Sequence, residues 1–154
     1  MLRWTMLETT LCYIENNNSW LMLHRVKKSV DANKDKWIGV GGKLEPGETP
    51  DECMLREVFE ETGLKLKEYE YRGIVDFCSD MWPEELMHLY TAKFPGGELK
   101  DCDEGTLEWV PFEKIDSLPI WEGDKVFFKL LKEDAAFFRL RLEYEGEKLV
   151  KWEL

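Results

Sequence analysis

Gly41-Gly42-Lys43-Leu44-Glu45-Pro46-Gly47-Glu48-Thr49-Pro50-Asp51-Glu52-Cys53-Met54-Leu55-Arg56-Glu57-Val58-Phe59-Glu60-Glu61-Thr62-Gly63-Leu64 is the stretch on which the fold turns. It holds a glycine turn followed by a helix whose start and stop are both written in it. Thr49 suits an N-cap, and Pro50 suits the first helical position, where its missing N–H would be unpaired anyway. Glu52, three residues after Thr49, completes a capping box, and Gly63 supplies the C-cap. At roughly 100° per residue, Met54, Leu55, Val58 and Phe59 share a core-facing arc, and Glu57, Glu60 and Glu61 share a neighbouring one.

Carboxylates three and four positions apart on a helix repel one another, by about a few tenths of a kcal/mol per pair. Arg56 reaches Glu60 at i+4, but one guanidinium cannot neutralise three carboxylates. A divalent cation with oxygen ligands, Mg²⁺ or Mn²⁺, would do so more completely. The ordinary alternative is a solvated acidic face in an acidic chain. Gly41 and Gly42 favour the cation, because glycines let the backbone turn tightly and come close to a ligand, and Gly47 breaks regular structure before the cap.

The rest of the chain sets limits. With 154 residues and 44% hydrophobic content it reads as one domain, residues 1–154, with a sizeable core and no linker, repeat or low-complexity stretch. A net charge of -11, from 32 acidic and 21 basic residues, argues against duplex nucleic acid, which demands a basic surface, but not against a single nucleotide held through metal. The N-terminal residues include Trp4, Glu8, Glu15 and an Asn16–Ser19 turn rather than a continuous apolar leader. No apolar run approaches the ~18 residues that a membrane span needs, so a cytoplasmic protein without membrane contact is expected. Cys12, Cys53, Cys78 and Cys102 lack zinc or CxxC spacing and are expected to be buried reduced thiols. His24 and His88 lie far apart in sequence, and nothing favours a His/Cys nucleophile pair.

Strands are expected at Thr5–Ile14, Trp20–Lys27, Leu64–Cys78 (long or bent), Glu85–Phe94 and Glu108–Pro111. A short helix is expected at Pro111–Leu118 and an amphipathic one at Glu122–Glu133, followed by a hairpin of Phe137–Glu143 with Lys148–Glu153. Elements in this order suggest an α+β, sheet-centred sandwich.

The pattern of Gly42, five residues, Glu48, seven residues, then Arg56-Glu57-Val58-Phe59-Glu60-Glu61-Thr62-Gly63-Leu64 resembles the signature of the Nudix hydrolases at every defined position, residues 42–64. The resemblance implies an α-β-α sandwich with a mixed sheet between helices. It implies pyrophosphohydrolysis of a nucleoside diphosphate linked to another group, with Mg²⁺ or Mn²⁺ required. In the family the residues matching Glu57, Glu60 and Glu61 bind metal, that matching Arg56 orients them, and the carbonyl matching Gly41 completes a coordination site. Metal bridging carboxylates and phosphate oxygens would neutralise developing charge and acidify the attacking water. Lys43 stands beside the turn, where a cation holds phosphate.

Outside the signature, Lys36–Lys43, Asp103–Val110 and Pro119–Asp124 resemble the MutT-type branch, which hydrolyses oxidised purine nucleoside triphosphates such as 8-oxo-dGTP. The resemblance assigns Glu104 to the metal site or to the role of base; the alternative is a solvated loop acid. It sets Trp121 against a purine, a contact worth about 1–3 kcal/mol, where the alternative is a core or lid tryptophan. Asp124 accepts from a purine edge, or donates if protonated; otherwise it is a surface acid. Arg25 contacts phosphate or is a solvated strand-end charge. Trp82-Pro83-Glu84-Glu85 is placed at the pocket rim. Where some relatives present a base-reading asparagine, this chain has Ile38, which can only pack. The leading expectation is release of a nucleoside monophosphate and pyrophosphate from a nucleoside triphosphate, by a monomer or homodimer. The alternatives are another Nudix substrate (dihydroneopterin triphosphate, ADP-ribose or a dinucleoside polyphosphate) and a non-catalytic sensor. The little chain before the first strand tells against ADP-ribose, and the intact signature against a sensor.

Overall fold

The structure is a computed structural model and describes residues 6–26, 33 and 35–154. Strand β1 (Leu7–Asn16) turns into β2 (Ser19–Arg25) over Asn17 and Asn18, whose φ angles of 50° and 57° lie in the left-handed region that asparagine tolerates. The two strands pair only near this turn, through Ile14–Leu21 to Asn16–Ser19. Beyond it they part, and the glycine segment fills the gap: the Cys12 N–H donates to the Val40 carbonyl (2.7 Å) and the Thr10 N–H to the Gly42 carbonyl (2.9 Å). β2 continues by pairing with β3 (Trp37–Ile38) and β6 (Gly105–Pro111).

On its other side β1 runs parallel to β5 (Glu85–Lys93), which is antiparallel to β4 (Tyr69–Ser79). β4 is parallel to β7 (Phe138–Glu145), and β8 (Lys148–Glu153) closes that edge antiparallel to β7. Helix α1 (Pro50–Thr62) covers one face; α2 (Asp124–Lys132), with a 3-10 turn at Phe112–Ser117 before it, covers the other. Alternation along the strands feeds both layers. Cys12, Ile14 and Tyr90 pack with Met54 and Val58 of α1, whereas Tyr13, Met22, Leu89 and Leu140 pack with Phe127, Phe128 and Leu131 of α2. The mixed sheet between helices is the expected architecture. No helix among the described residues is long and apolar enough to cross a membrane.

The caps of α1 form as written. The Glu52 N–H donates to Thr49 Oγ1 (3.2 Å), the Thr49 N–H donates to Glu52 Oε1 (3.0 Å), and Gly63 takes φ 80°. Its buried face is shifted, however. Cys53, Met54, Val58, Glu61 and Thr62 are buried, while Phe59 is 48% exposed beneath the Lys65 ammonium. A stripe at i, i+4 and i+7 or i+8 from Met54 is the one that meets the sheet, and Phe59 falls beside it.

Boundaries differ in places. The expected strand from Leu64 starts only at Tyr69, because Leu64 is used to seal the core below the Gly63 cap. β6 begins three residues earlier than Glu108, at Gly105, because β2 offers partners as far as Arg25. α2 is shorter than the expected Glu122–Glu133, since Gly123 and Glu133 serve as its caps rather than as helix. Thr5 and Lys27, expected strand ends, lie outside the described residues. The four cysteines are free thiols, Cys78 only half-buried and the others buried. His24 stacks on Trp37, and His88 sits between Glu8 and Tyr71.

Candidate active site

Segment Val40–Lys43 lies between β1 and α1, and its glycines are required there. A Cβ on Gly41 would stand 1.9 Å from the Thr10 carbonyl oxygen, and one on Gly42 2.4 Å from the Glu57 carboxyl carbon. This close approach lets the Gly41 N–H donate to Glu61 Oε2 at 3.1 Å.

Arg56 is the hub of the carboxylates. Its Nε and Nη2 fork onto Glu48 at 2.7 and 2.9 Å, its Nη1 reaches Glu57 at 2.7 Å and Glu60 at 3.2 Å, and its Nη2 also donates to the Lys43 carbonyl at 3.1 Å. The fork holds the Glu48 carboxyl down at about 2. One cation thereby ties the helix to the turn, as the i+4 spacing to Glu60 anticipated in part.

The three stripe glutamates occupy different environments. Glu60 is exposed, Glu57 is half-buried, and Glu61 is 7% exposed. Burial first, then hydrogen bonding and charge from Glu104, then the Glu57 charge, push the Glu61 carboxyl up to about 9. Glu104 arrives from the turn before β6, where Gly105 pairs with Arg25 across the sheet. The Arg25 Nη1 donates to Glu104 Oε2 at 3.1 Å, so Arg25 is ion-paired rather than a solvated strand-end charge, and Glu104 is no solvated loop acid.

Among the described residues no three of His, Cys, Asp and Glu stand together as a finished cation cage, because Glu57 and Glu60 are turned onto Arg56. The donor set is nonetheless that of a hard cation: carboxylates of Glu57, Glu61 and Glu104, Glu60 at the rim, and the Gly41 backbone beside them. A carboxyl that keeps its proton to about 9, through burial first and the Glu104 and Glu57 carboxylates second, marks a place short of positive charge. A divalent ion fits there.

On the other side of the turn opens a cavity of about 320 Å³. Gly41, Lys43, Arg25, Ile38, Trp121 and Asp124, drawn from the whole length of the chain, all line it. Trp82 borders it too, in keeping with its expected place at the rim. Ile38 is 8% exposed and packs with Leu23 and Cys102. Trp121 is 6% exposed: its Nε1–H donates to Asn33 Oδ1 at 2.8 Å, Phe77 and Tyr144 meet it nearly at right angles, and the Lys36 ammonium lies over its ring. It is thus both a core tryptophan and a cavity wall. Asp124 is 5% exposed, not a surface acid; burial holds its carboxyl well above the usual range, with Glu85 adding to the rise and Lys36 opposing it.

Thr9 and Asn33 also line the cavity and were not anticipated there, while Glu85 lines it as part of the segment expected at the rim. The Thr9 hydroxyl donates to Glu85 Oε2 at 2.8 Å. Thr9 alternates with Leu7 and Leu11 on one face of β1, a signal available in the sequence; Asn33 carried none. A larger depression of about 640 Å³, around Arg72 and Lys132, lies at the opposite ends of β1 and α2 and includes nothing from the glycine turn or α1.

Known proteins share this arrangement. The chain is 33% identical over 117 residues, 75% of its length and 74% of the relative's, to an oxidized purine nucleoside triphosphate hydrolase of Danio rerio. Over 85 residues, 54% of this chain and 30% of that one, it is 38% identical to the NAD-capped RNA hydrolase NudC of Chromobacterium violaceum. The crystal structure of a MutT protein from Bacillus halodurans, 27% identical, superposes with a TM-score of 0.82 over 96% of this chain and 97% of that one. The model of the NUDIX domain matches residues 6–131. Since that match runs from β1 to the last turn of α2 and takes in helix, turn and cavity wall alike, the chain belongs to the Nudix family and is a Nudix pyrophosphohydrolase.

Proposed function

We propose that the enzyme hydrolyses purine nucleoside triphosphates, oxidised ones such as 8-oxo-dGTP among them, to the nucleoside monophosphate and pyrophosphate. The observation that carries this is the continuity of the site: one turn, Gly41–Lys43, borders the carboxylate helix on one side and the cavity of Trp121 and Asp124 on the other. A nucleotide with its base in the cavity would lay its phosphates across the turn.

The chain's own residues divide the work. Glu57, Glu60, Glu61 and Glu104, with the Gly41 carbonyl, would hold Mg²⁺ or Mn²⁺, in line with the general use of divalent ions by Nudix hydrolases. Such an ion neutralises charge on phosphate oxygens and makes water acidic enough to attack phosphorus. Arg56 orients the glutamates, and the Gly41 N–H fixes Glu61. Arg25 sets Glu104, and Lys43 meets phosphate. In the cavity Trp121 and Ile38 pack against the base. Asp124, neutral, offers one hydrogen bond and accepts another at a purine edge. The Danio relative, named for oxidized purine nucleoside triphosphates, supports the choice of substrate.

The test is a panel of dGTP, 8-oxo-dGTP, dCTP, ADP-ribose and diadenosine tetraphosphate with Mg²⁺, scored for pyrophosphate against phosphate. The expected result is pyrophosphate from the purine triphosphates, fastest from the oxidised one. Equal kcat/KM for dGTP and 8-oxo-dGTP would sink the preference for oxidised purines, and turnover confined to ADP-ribose would sink the substrate class. Trp121→Ala should raise KM for dGTP roughly 10-fold through lost stacking.

A further inference from the structure

Lys36 is not among the residues that line the cavity, yet its ammonium is held by two partners, one of them the cavity-lining Trp121. Nζ stands 4.7 Å from the centroid of the Trp121 ring, over the ring. The same nitrogen donates to Glu147 Oε1 at 2.8 Å, on the turn between β7 and β8, and the lysine side chain is only 14% exposed. A four-carbon chain that would ordinarily wander in water is thus pinned between an aromatic face and a carboxylate.

The pinning completes the immobilisation of Trp121. Asn33 anchors its indole N–H at 2.8 Å; Phe77 and Tyr144 abut it at interplanar angles of 77° and 74°. With the cation over the ring, an indole that lines the cavity is held still for a flat ligand. A cation also draws electron density towards itself across the ring, so the indole becomes a better stacking partner for an electron-rich base. Purines, with two fused rings, offer more area for that contact than pyrimidines.

We propose that Lys36 is a positioning residue for the base: clamped to Glu147, it steadies Trp121 so that the indole is presented rigid to a purine ring, an inference that rests on the purine-site reading above. Lys36 acts through Trp121 and touches no phosphate.

Steady-state kinetics on dGTP, 8-oxo-dGTP and dCTP with Mg²⁺ test this in Lys36→Met, Lys36→Arg and Glu147→Gln, with melting temperatures taken alongside. Lys36→Met should raise KM for both purine substrates roughly two- to fivefold, the size of one cation–π contact, with kcat held within about twofold and dCTP less affected. Lys36→Arg should restore KM, because a guanidinium also lies on aromatic faces and pairs with carboxylates. Glu147→Gln should move KM in the same direction as Lys36→Met. Unchanged purine KM in Lys36→Met overturns the proposal, as does an equal loss on all three substrates that arginine does not rescue. Should the wild-type enzyme show no purine preference at all, the purine-site reading itself fails; should Trp121→Ala lose the preference while Lys36→Met keeps it, only the role of Lys36 fails.

Discussion

Replacing Gly42 by alanine strikes the site at its tightest point. The added Cβ would lie 2.4 Å from the Glu57 carboxyl carbon and 2.6 Å from both carboxylate oxygens, where ordinary contact begins at 3.4 Å. Glu57 is a side chain and can swing, so it would retreat by about 1 Å, a misplacement that at a reacting centre costs on the order of 100-fold in rate. The retreat also breaks its 2.7 Å contact with Arg56. Gly42→Ala should therefore lower kcat/KM for dGTP about 100-fold at limiting Mg²⁺ and shift the Mg²⁺ midpoint upward, while the melting temperature moves by only a few degrees. Gly41→Ala is the contrast, since its Cβ would meet the Thr10 carbonyl oxygen at 1.9 Å. That atom belongs to the main chain of β1 and cannot step aside, so stability and activity should fall together. The two variants, prepared side by side, are compared by pyrophosphate release and by thermal melts. A Gly42→Ala enzyme with wild-type kcat/KM at limiting Mg²⁺ would show that the position of Glu57 does not matter to the rate.

Arg56→Lys keeps the charge but loses the fork on Glu48, and should cost roughly 10- to 100-fold in kcat/KM or in Mg²⁺ affinity; a Mg²⁺ titration of activity reads it. Glu60→Gln removes one exposed carboxylate at constant shape and should depress turnover even at saturating Mg²⁺, so a variant with near-wild-type turnover there tells against its place at the metal. Asp124→Asn tests burial: unfolded aspartate ionises near about 3.9, whereas the native carboxyl is held well above that, so the native state keeps a proton that the unfolded state has lost. Stability therefore falls as pH rises from about 4, by up to about 1.4 kcal/mol per pH unit, until the native group ionises. The asparagine variant should melt close to wild type near pH 4 and above it at pH 8, and parallel melting curves across that range would count against the buried neutral acid.

What the sequence made legible was local. The caps of α1, its carboxylate stripe and the reach of Arg56 to Glu60 all follow from spacing within the segment Thr49–Gly63, and local spacing is what helix geometry obeys. The convergence of Arg25, Ile38, Trp121 and Asp124 on one cavity was reached through family resemblance, since no periodicity links residues so far apart. Hidden from the sequence were features decided by the partner surface. Phe59 has the hydrophobicity of a core residue and the wrong angle for the sheet. Whether Asp124 is a surface acid is decided only by its burial in the cavity wall, and Arg25 reads as solvated until Glu104 pairs with it. The graded burial of Glu57, Glu60 and Glu61 likewise depends on Glu104 and the glycine turn, neither of which belongs to the helix.

The two parallel pairings of the sheet set a timetable for the nascent chain. β1 finds β5 only after residue 93 has been made, and β4 finds β7 only near residue 144. The acidic helix and its arginine hub are complete within residues 41–61, so they can form early from neighbours. The cavity wall at Trp121 cannot, because Trp121 leans on Tyr144, whose hydroxyl also takes the Gly123 N–H at 2.7 Å. A stalled or truncated product that lacks β7 would leave β4, with Val75 and Phe77 on it, as an open strand edge, a surface that recruits other chains. The expected failure of such a product is aggregation.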